Sequence, residues 1–383
     1  MKLPAYSKSI GLYIHIPFCR SKCIYCAFYS ITDTSPIEDF IKALKREADL
    51  YQEQFRGRRF STIYIGGGTP SILEPDQISE ILQKIFESFD FEDSPEITIE
   101  ANPESVDLEK AVVWRKLGIN RVSLGVQSAN DEELKFLGRI HDTKTASRAI
   151  EILKKAGFTN ISVDLIFGIP GQSVESFKKS IEWVAERGVT HISTYSLTVE
   201  KGTKLFELSK RIRMPDEETI VKFYRIRDET LERLGFRRYE ISNFARPGFE
   251  SAHNRIYWFH GEYLGLGPSA ASFLYKPQPI RWQNRSNLRA YIKNLWAGKF
   301  PPLEKDVVSR DKLLLERIFL YIRTDRGLPC EFKKIVVERA PELSRFFEDS
   351  SGRLNFEGML IADTLALQIY EAIEPLVDEI ELD

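Results

Sequence analysis

Cysteine is sparse in this chain, and its placement is uneven. The 383 residues contain four cysteines, and three of them fall within eight positions. So few thiols argue against a disulfide-stapled scaffold, and three close neighbours cannot all pair with one another. There is no run of about 18 apolar residues, so a transmembrane helix is not expected. The stretch Met1 to Lys8 lacks the apolar core of a secretion signal. There is no excess of positive charge. Lys and Arg number 54 against 56 Asp and Glu, a net charge of −2, which gives no bulk electrostatic basis for binding nucleic acid. Internal repeats and low-complexity segments are missing as well. What remains is an ordinary globular composition, 43% hydrophobic and 29% charged, with length for one large domain and a smaller one. Clustered thiols without an export signal fit a reducing cytoplasm. Peripheral attachment to the inner membrane is compatible with that.

The stretch Cys19-Arg20-Ser21-Lys22-Cys23-Ile24-Tyr25-Cys26 sets the cysteines as Cys-x3-Cys-x2-Cys. Thiolates this close suit an iron–sulfur cluster. A structural zinc site takes four protein ligands, and the only other cysteine is the distant Cys330. Three ligands on a four-iron cube leave one iron open. The plainer reading is three reduced structural cysteines.

Around this array the chain alternates between strand and helix patterns. Strands are expected at Ile10–Ile16, Ser61–Ile65, Glu96–Glu100, Arg121–Val126, Ile161–Phe167 and His191–Leu197. A first helix follows Ser35-Pro36-Ile37-Glu38, which reads as a capping box with proline at the first helical position. Later helices are expected near Asp76–Phe89, Leu108–Leu117, Lys144–Ala156, Ser173–Glu186 and Asp216–Leu234. Six such units predict an α/β fold, a partial (β/α)6 TIM-like barrel with a parallel sheet. An open doubly wound sheet is the alternative. Cys19, Gly66 to Thr69, Glu100, Gln127 and Asp164 all fall in or near the C-terminal ends of successive strands, the face that carries active sites in β/α barrels.

Beyond residue 236 the alternation stops. Arg237–Asn243 reads as a strand and Ser286–Trp296 as a helix, with Pro301-Pro302 as a linker. Leu313, Leu314, Ile318, Phe319 and Ile322 then form a helical stripe. With further helices and a hairpin-like Gly352–Ile361, they predict a small winged-helix-like α+β domain. The expected divisions are 1–236 for the barrel, 237–300 for an extension and 301–383 for the C-terminal domain.

The cysteine array resembles that of the radical S-adenosylmethionine (SAM) superfamily. Within it, the chain is similar to the coproporphyrinogen dehydrogenase family. Glu100-Ala101-Asn102-Pro103, Arg121 to Ser128, Leu137-Gly138-Arg139-Ile140-His141 and Asp164 to Gln172 carry that resemblance. It implies a [4Fe-4S] cluster on Cys19, Cys23 and Cys26. It also implies SAM contacts from Tyr13, Gly67, Gly68, Thr69, Glu100, Gln127, Arg139 and Asp164, the glycine loop offering backbone groups to the SAM amino group. Read alone, Gly66-Gly67-Gly68-Thr69-Pro70 meets neither the P-loop nor the dinucleotide pattern and could be a turn.

Two departures separate the chain from the dehydrogenase itself. Phe28 stands where that enzyme has an additional cysteine, and only 18 residues precede Cys19. His253-Asn254-Arg255-Ile256-Tyr257-Trp258, following Tyr239 to Ala245, resembles the His-Asn-x-x-Tyr-Trp motif of the haem-chaperone branch, although Ser251 stands where a cysteine is often found. An imidazole can ligate haem iron, and aromatic faces suit a macrocycle. The resemblance therefore implies a haem chaperone binding haem at His253, Tyr257 and Trp258. It would deliver haem to an acceptor haemoprotein, plausibly a membrane-bound respiratory one. The alternative is a radical SAM enzyme acting on a tetrapyrrole, an oxygen-independent coproporphyrinogen III oxidase. A third reading is a scaffold whose cluster supports a homodimer. The other histidines, His15, His141, His191 and His260, are expected to be structural.

Overall fold

The computed structural model describes residues 2–3, 9–348 and 351–382. The rest of the Met1 to Lys8 stretch, read above for a secretion signal, lies outside them. The chain begins with β1 (Ile10–Ile16), α1 (Ile37–Gln52), β2 (Arg59–Gly67), α2 (Pro75–Ser88), β3 (Asp90–Ala101), α3 (Leu108–Lys116) and β4 (Arg121–Gln127). It continues through α4 (Asp131–Leu137), α5 (Thr143–Lys155), β5 (Asn160–Phe167), α6 (Val174–Glu186), β6 (His191–Ser196), α7 (Lys204–Ser209) and α8 (Glu217–Arg233).

β1 to β6 lie side by side in chain order, all parallel. A doubly wound sheet would reverse its order at a switch point. The unbroken order is that of the expected partial barrel. Side chains alternate across each strand. Leu12, Ile14, Ile63, Ile65, Ile97, Ile99, Val122, Leu124, Val163 and Leu165 point one way and are buried in the main core. The intervening positions, among them Tyr13, Tyr64, Glu100, Ser123, Asp164 and Ser193, give the concave face polar groups.

The expected capping box at Ser35 is not formed. Pro36 occupies the N-cap of α1 and offers no side-chain acceptor, while the Ser35 N–H donates to Asp33 Oδ1 at 3.0 Å. The reciprocal pair sits one helix later, between Glu74 and Gln77 at the start of α2.

The remainder extends the sheet at both ends. The stretch expected as one strand, Arg237–Asn243, splits into β7 (Arg237–Arg238) and β8 (Asn243–Ala245), an antiparallel pair that continues from β6. After α9 (Ala252–Trp258), β9 (Glu262–Leu266) returns to the opposite side and pairs parallel with β1. β10 (Ala271–Leu274), β11 (Ile280–Asn284), α10 (Leu288–Trp296) and β12 (Leu303–Val307) follow, and the three strands run antiparallel outward from β9. α11 (Arg310–Tyr321), α12 (Cys330–Arg339), α13 (Phe356–Leu360) and α14 (Ala362–Ile373) gather a second core around Leu314, Ile318, Phe332 and Ile369, which also takes in Phe273 from β10. The expected wing is a single bridge between Phe347 and Leu354, and α13 fills the stretch read as a hairpin. Among the described residues, no helix is long and apolar enough to cross a membrane.

Candidate functional site

The cysteine loop leaves the C-terminal end of β1 and is closed at its neck. Cys19 N–H donates to Ile31 O at 2.9 Å, and Ile31 N–H donates to Pro17 O at 2.8 Å. Two further backbone bonds pin the loop's middle: Ile24 N–H to Leu137 O at 3.3 Å, and Leu205 N–H to Ile24 O at 2.8 Å. Cys19 is buried, Cys23 and Cys26 are half-buried, and all are free thiols. All three line one cavity of about 540 Å³. Burial pushes the Cys26 thiol up, and negative charge at Cys23 and Cys19 would add to that. Thr69 donates to the Cys19 sulfur and Arg139 to the Cys23 sulfur, each at 3.4 Å. Among the described residues, no three His, Cys, Asp or Glu side chains converge where one ion would sit. A four-iron cube takes each thiolate at a different corner, and a sulfur-lined cavity with a guanidinium beside it fits such a group.

The glycine loop after β2 is stitched to this segment. Gly68 N–H donates to Ile16 O and Thr69 N–H to Phe18 O, both at 2.8 Å. Gly67 N–H donates to Glu100 Oε2 at 3.1 Å. The loop's N–H groups are therefore already engaged, and only carbonyl oxygens remain for a donor such as an ammonium group. Glycine is required by space here. A Cβ at Gly68 would lie 2.6 Å from Phe18 O, and one at Gly67, where φ is +112°, would lie 2.7 Å from the His15 ring.

Glu100 and Asp164 both face the cavity. Tyr64 Oη donates to Glu100 at 2.8 Å, and Ser123 Oγ donates to Asp164 at 3.3 Å. Burial raises the Glu100 carboxyl to about 7, with Asp164 adding to the rise. Burial likewise raises Asp164. Gln127 enters the wall in a left-handed backbone conformation, φ 72°, next to a register shift between β4 and β5. Left-handed backbone is uncommon for a residue with a side chain. Arg139 spans the gap between strand ends and cysteine loop, donating from Nη2 to Asn102 Oδ1 at 2.6 Å and to Gly125 O at 2.8 Å. Asn102 in turn donates to Thr69 Oγ1 at 3.2 Å. A continuous chain of bonds thus runs from Cys23 through Arg139, Asn102 and Thr69 to Cys19.

Sequence reasoning passed over Asn102, Tyr64 and Arg121. Arg121 lies in the cavity wall with its Nε unpartnered among the described residues. Burial opposes its charge, but Glu96, Tyr64, Tyr239 and Asp164 outweigh that and raise its pKa. The available signal was strand alternation: Arg121 shares a face with Ser123 and Gly125.

The His253 motif occupies α9, capped by Ser251 Oγ, which accepts from Asn254 N–H at 3.2 Å. Glu96 on β3 accepts the N–H groups of Ala252 and His253, each at 3.0 Å. This sets the helix against the N-terminal part of the barrel, with Asn254 reaching the cavity wall. His253, expected as a haem ligand, has both ring nitrogens engaged within the protein. Its Nδ1 bonds Thr62 Oγ1 at 2.7 Å, its Nε2 bonds Tyr257 Oη at 2.9 Å, and its ring stacks on Tyr64 at 5.0 Å. Only 1% of it is exposed. Burial, reinforced by Arg121, lowers its pKa to about 3. It is packed as a neutral structural histidine.

Tyr257 lines a second cavity, an open groove of about 610 Å³ that also contains Tyr13. Tyr13 also stands close to the first cavity: its ring lies 6.2 Å from that of Tyr64, and Glu100 adds to the burial that raises its phenol. Trp258 is half-buried and belongs to neither wall. The remaining histidines are engaged at both ring nitrogens: His15 by Tyr13 and Tyr29, His141 by Glu104 and Val126, His191 by Ser162 and Tyr239, His260 by Tyr275 and Glu316.

Residues 13–184 match the model of the radical SAM superfamily. The haem chaperone HemW of Lactococcus lactis is 37% identical over 88% of this chain and 89% of that protein. HemW of Escherichia coli is 34% identical, with 82% and 81% covered, and HemW of Bacillus subtilis 33%, with 82% and 84% covered. Among solved structures, coproporphyrinogen III oxidase (HemN) from Escherichia coli, a radical SAM enzyme, superposes with a TM-score of 0.81 at 24% identity, covering 94% of this chain and 90% of that one. At that identity the likeness speaks for the fold.

Proposed function

The chain belongs to the HemW family of radical SAM haem chaperones, and on that premise we propose that it binds a [4Fe-4S] cluster, SAM and haem, and passes haem to acceptor haemoproteins. Cys19, Cys23 and Cys26 would hold the cluster. When bound, that cluster supplies an open iron for the amino and carboxylate groups of SAM. Glu100 and Asp164 would accept hydrogen bonds from ribose hydroxyls. Gln127 offers an amide from the strand-end side. Arg139 offsets thiolate charge at Cys23 and braces the loop through Asn102. Gly67, Gly68 and Thr69 hold the floor close to the cysteines.

The observation that carries the cofactor part is the sharing of one cavity by three free thiols and the two half-buried carboxyls of Glu100 and Asp164. The haem part rests on the family. An acceptor in a respiratory membrane and a homodimeric state belong to the same proposal. Anaerobic reconstitution tests the cluster: the reduced protein is expected to give a [4Fe-4S]+ EPR signal, and a triple Cys-to-Ala variant that keeps it would overturn the ligand assignment. Haem titration tests the cargo: the intact protein is expected to develop a Soret band, and failure to do so overturns the chaperone reading.

A second reading, a radical SAM enzyme acting on a tetrapyrrole, is favoured by the completeness of the polar cavity. Against it stands Phe28, 70% exposed, in place of the dehydrogenase cysteine. Anaerobic incubation with coproporphyrinogen III, SAM and a reductant decides between them. The chaperone reading expects no protoporphyrinogen.

A further inference from the structure

Arg121 opens β4 and turns its side chain into the cluster cavity. Only 1% of it is exposed. Among the described residues its Nε has no partner, and no carboxylate forms an ion pair with its guanidinium. The carboxylates whose charge acts on it are bonded elsewhere. Glu96 accepts from Ser251 Oγ and from the N–H groups of Ala252 and His253. Asp164 accepts from Ser123 Oγ. The Thr98 hydroxyl, level with Arg121 on β3, is also buried without a partner among the described residues. A buried charge without a hydrogen-bonded counter-charge is costly to keep. An anion from outside would complete it.

The wall carries a second guanidinium at a different height. Arg139 donates to Gly125 O at 2.8 Å and to the Cys23 sulfur at 3.4 Å, at the cluster end. The backbone of Arg121 lies four residues before Gly125, about 13 Å lower along the strand. A SAM carboxylate at the open iron is therefore next to Arg139 and leaves Arg121 without a partner. The other groups offered by the lower wall are neutral: Ser193 and Tyr195 on β6, and Asn254 on the helix that Glu96 holds. The guanidinium fork accepts a carboxylate or a phosphate with two parallel bonds. Glu100 and Asp164 stand in the same wall, so a doubly charged phosphate would meet their repulsion. A carboxylate carries one charge and only balances Arg121.

We infer that Arg121 anchors a second subsite on the barrel floor, which takes one carboxylate of an organic molecule bound alongside SAM. The inference rests on the SAM-binding reading above. The guanidinium donates two hydrogen bonds to the carboxylate oxygens, and Asn254 offers its amide to the same group. The body of the molecule lies between Arg121 and the cluster end of the cavity, beside SAM. The carboxylate belongs either to an arm of haem or to a separate organic acid, and the experiment distinguishes the two.

The test is calorimetry on the cluster-loaded, SAM-saturated protein with propionate as the probe. Propionate is expected to bind in the millimolar range without releasing SAM. Propionamide, its neutral counterpart, and inorganic phosphate should each bind at least about tenfold more weakly. Arg121→Lys keeps the positive charge that faces Glu96 and Asp164 but loses the fork. It should weaken propionate about tenfold or more, and SAM binding by the variant shows that it is folded. Ferric haem and its dimethyl ester then identify the source. If the arm is haem's, Arg121→Lys weakens uptake of haem but not of the ester; if it belongs to a separate acid, neither uptake changes. Four results overturn the subsite: no propionate binding, propionate that displaces SAM, propionamide or phosphate binding as well as propionate, and an unaltered propionate affinity in Arg121→Lys. Joint loss of SAM and propionate in that variant would place Arg121 in the SAM site and overturn it too. SAM that fails to bind the intact cluster-loaded protein overturns the cofactor reading itself.

Discussion

Arg139 donates to the side-chain carbonyl of Asn102 at 2.6 Å, and through that bond the first two cysteines of the loop, Cys19 and Cys23, are tied together. Asn102 passes the link to Thr69, which donates to Cys19, while the other arm of Arg139 donates to Cys23. Both donors fix sulfur positions before any cluster arrives. Asn102→Ala removes an acceptor from a half-buried guanidinium and a donor from Thr69. The reconstituted variant is expected to lose its cluster to a chelator roughly 10- to 100-fold faster than the intact protein, the range found for outer-sphere partners of metal ligands. Anaerobic decay of the visible absorbance measures it. An unchanged decay rate would mean the loop is held by its backbone neck alone.

Glu96 binds the exposed N–H groups at the start of α9. A carboxylate there satisfies orphan donors and meets the positive end of the helix. α9 has only seven residues and makes few internal bonds, so it depends on this anchor. Glu96→Ala is expected to cost about 1–2 kcal/mol in denaturant unfolding. Because Asn254 reaches the cavity wall from the same helix, the variant should also bind SAM more weakly. Calorimetry on the cluster-loaded protein checks the second part. Unaltered SAM affinity would show that α9 does not shape the cavity.

The six parallel strands and the inward positions of Glu100 and Asp164 were legible because both depend on local alternation. A strand has period two, so a polar residue among β-branched neighbours declares its face. Arg121 obeyed the same rule and was missed because it looks like a strand-start charge, while Asn102 lies one residue past β3 and looks like an ordinary loop residue. The placement of His253 was not legible. Its partners Thr62 and Tyr64 lie on β2, 191 residues from His253 in the case of Thr62. Nothing in the local motif distinguishes an imidazole presented to a ligand from one filling the space above Gly11. The return of β9 to the side of β1 is equally remote, and no pattern within β9 names its neighbour. Ser35 failed for a local reason, since Pro36 takes the capping position itself.

His253 yields a stability prediction with a definite sign. Both ring nitrogens are bonded inside the protein, and its pKa falls from 6.5 to about 3 through burial and the nearby Arg121. A histidine with a depressed folded pKa binds fewer protons folded than unfolded between those values. Its contribution is complete above about pH 6.5 and is lost as the pH falls toward 3. His253→Ala strands Thr62 and Tyr257 and should cost about 2–4 kcal/mol at pH 7. The gap between intact protein and variant should narrow as the pH is lowered. A gap that stays constant between pH 7 and pH 4, read from unfolding midpoints, would contradict a buried neutral imidazole.

Glu316 makes the opposite kind of prediction at the seam between the sheet and the C-terminal helices. It sits on α11, and Arg281 on β11 forks onto its two oxygens at 3.1 and 2.6 Å. His260 Nε2 bonds it at 3.0 Å. Burial alone would raise this carboxyl, but His260 and Arg281 outweigh it and hold it at about 2. An acid with a depressed folded pKa adds stability that is complete above its unfolded value near 4.5 and is lost as the pH falls toward 2. Glu316→Gln keeps the shape and removes the charge. It should cost on the order of 2 kcal/mol at neutral pH and little near pH 2 to 3, once the intact side chain is being protonated too. Since Arg281 would keep its charge with no carboxylate to meet it, the loss should appear first as weaker docking of α11 onto β11. Hydrogen exchange at α11, faster in the variant at pH 7, would report that. Exchange unchanged at α11 but faster in the barrel would place the coupling elsewhere.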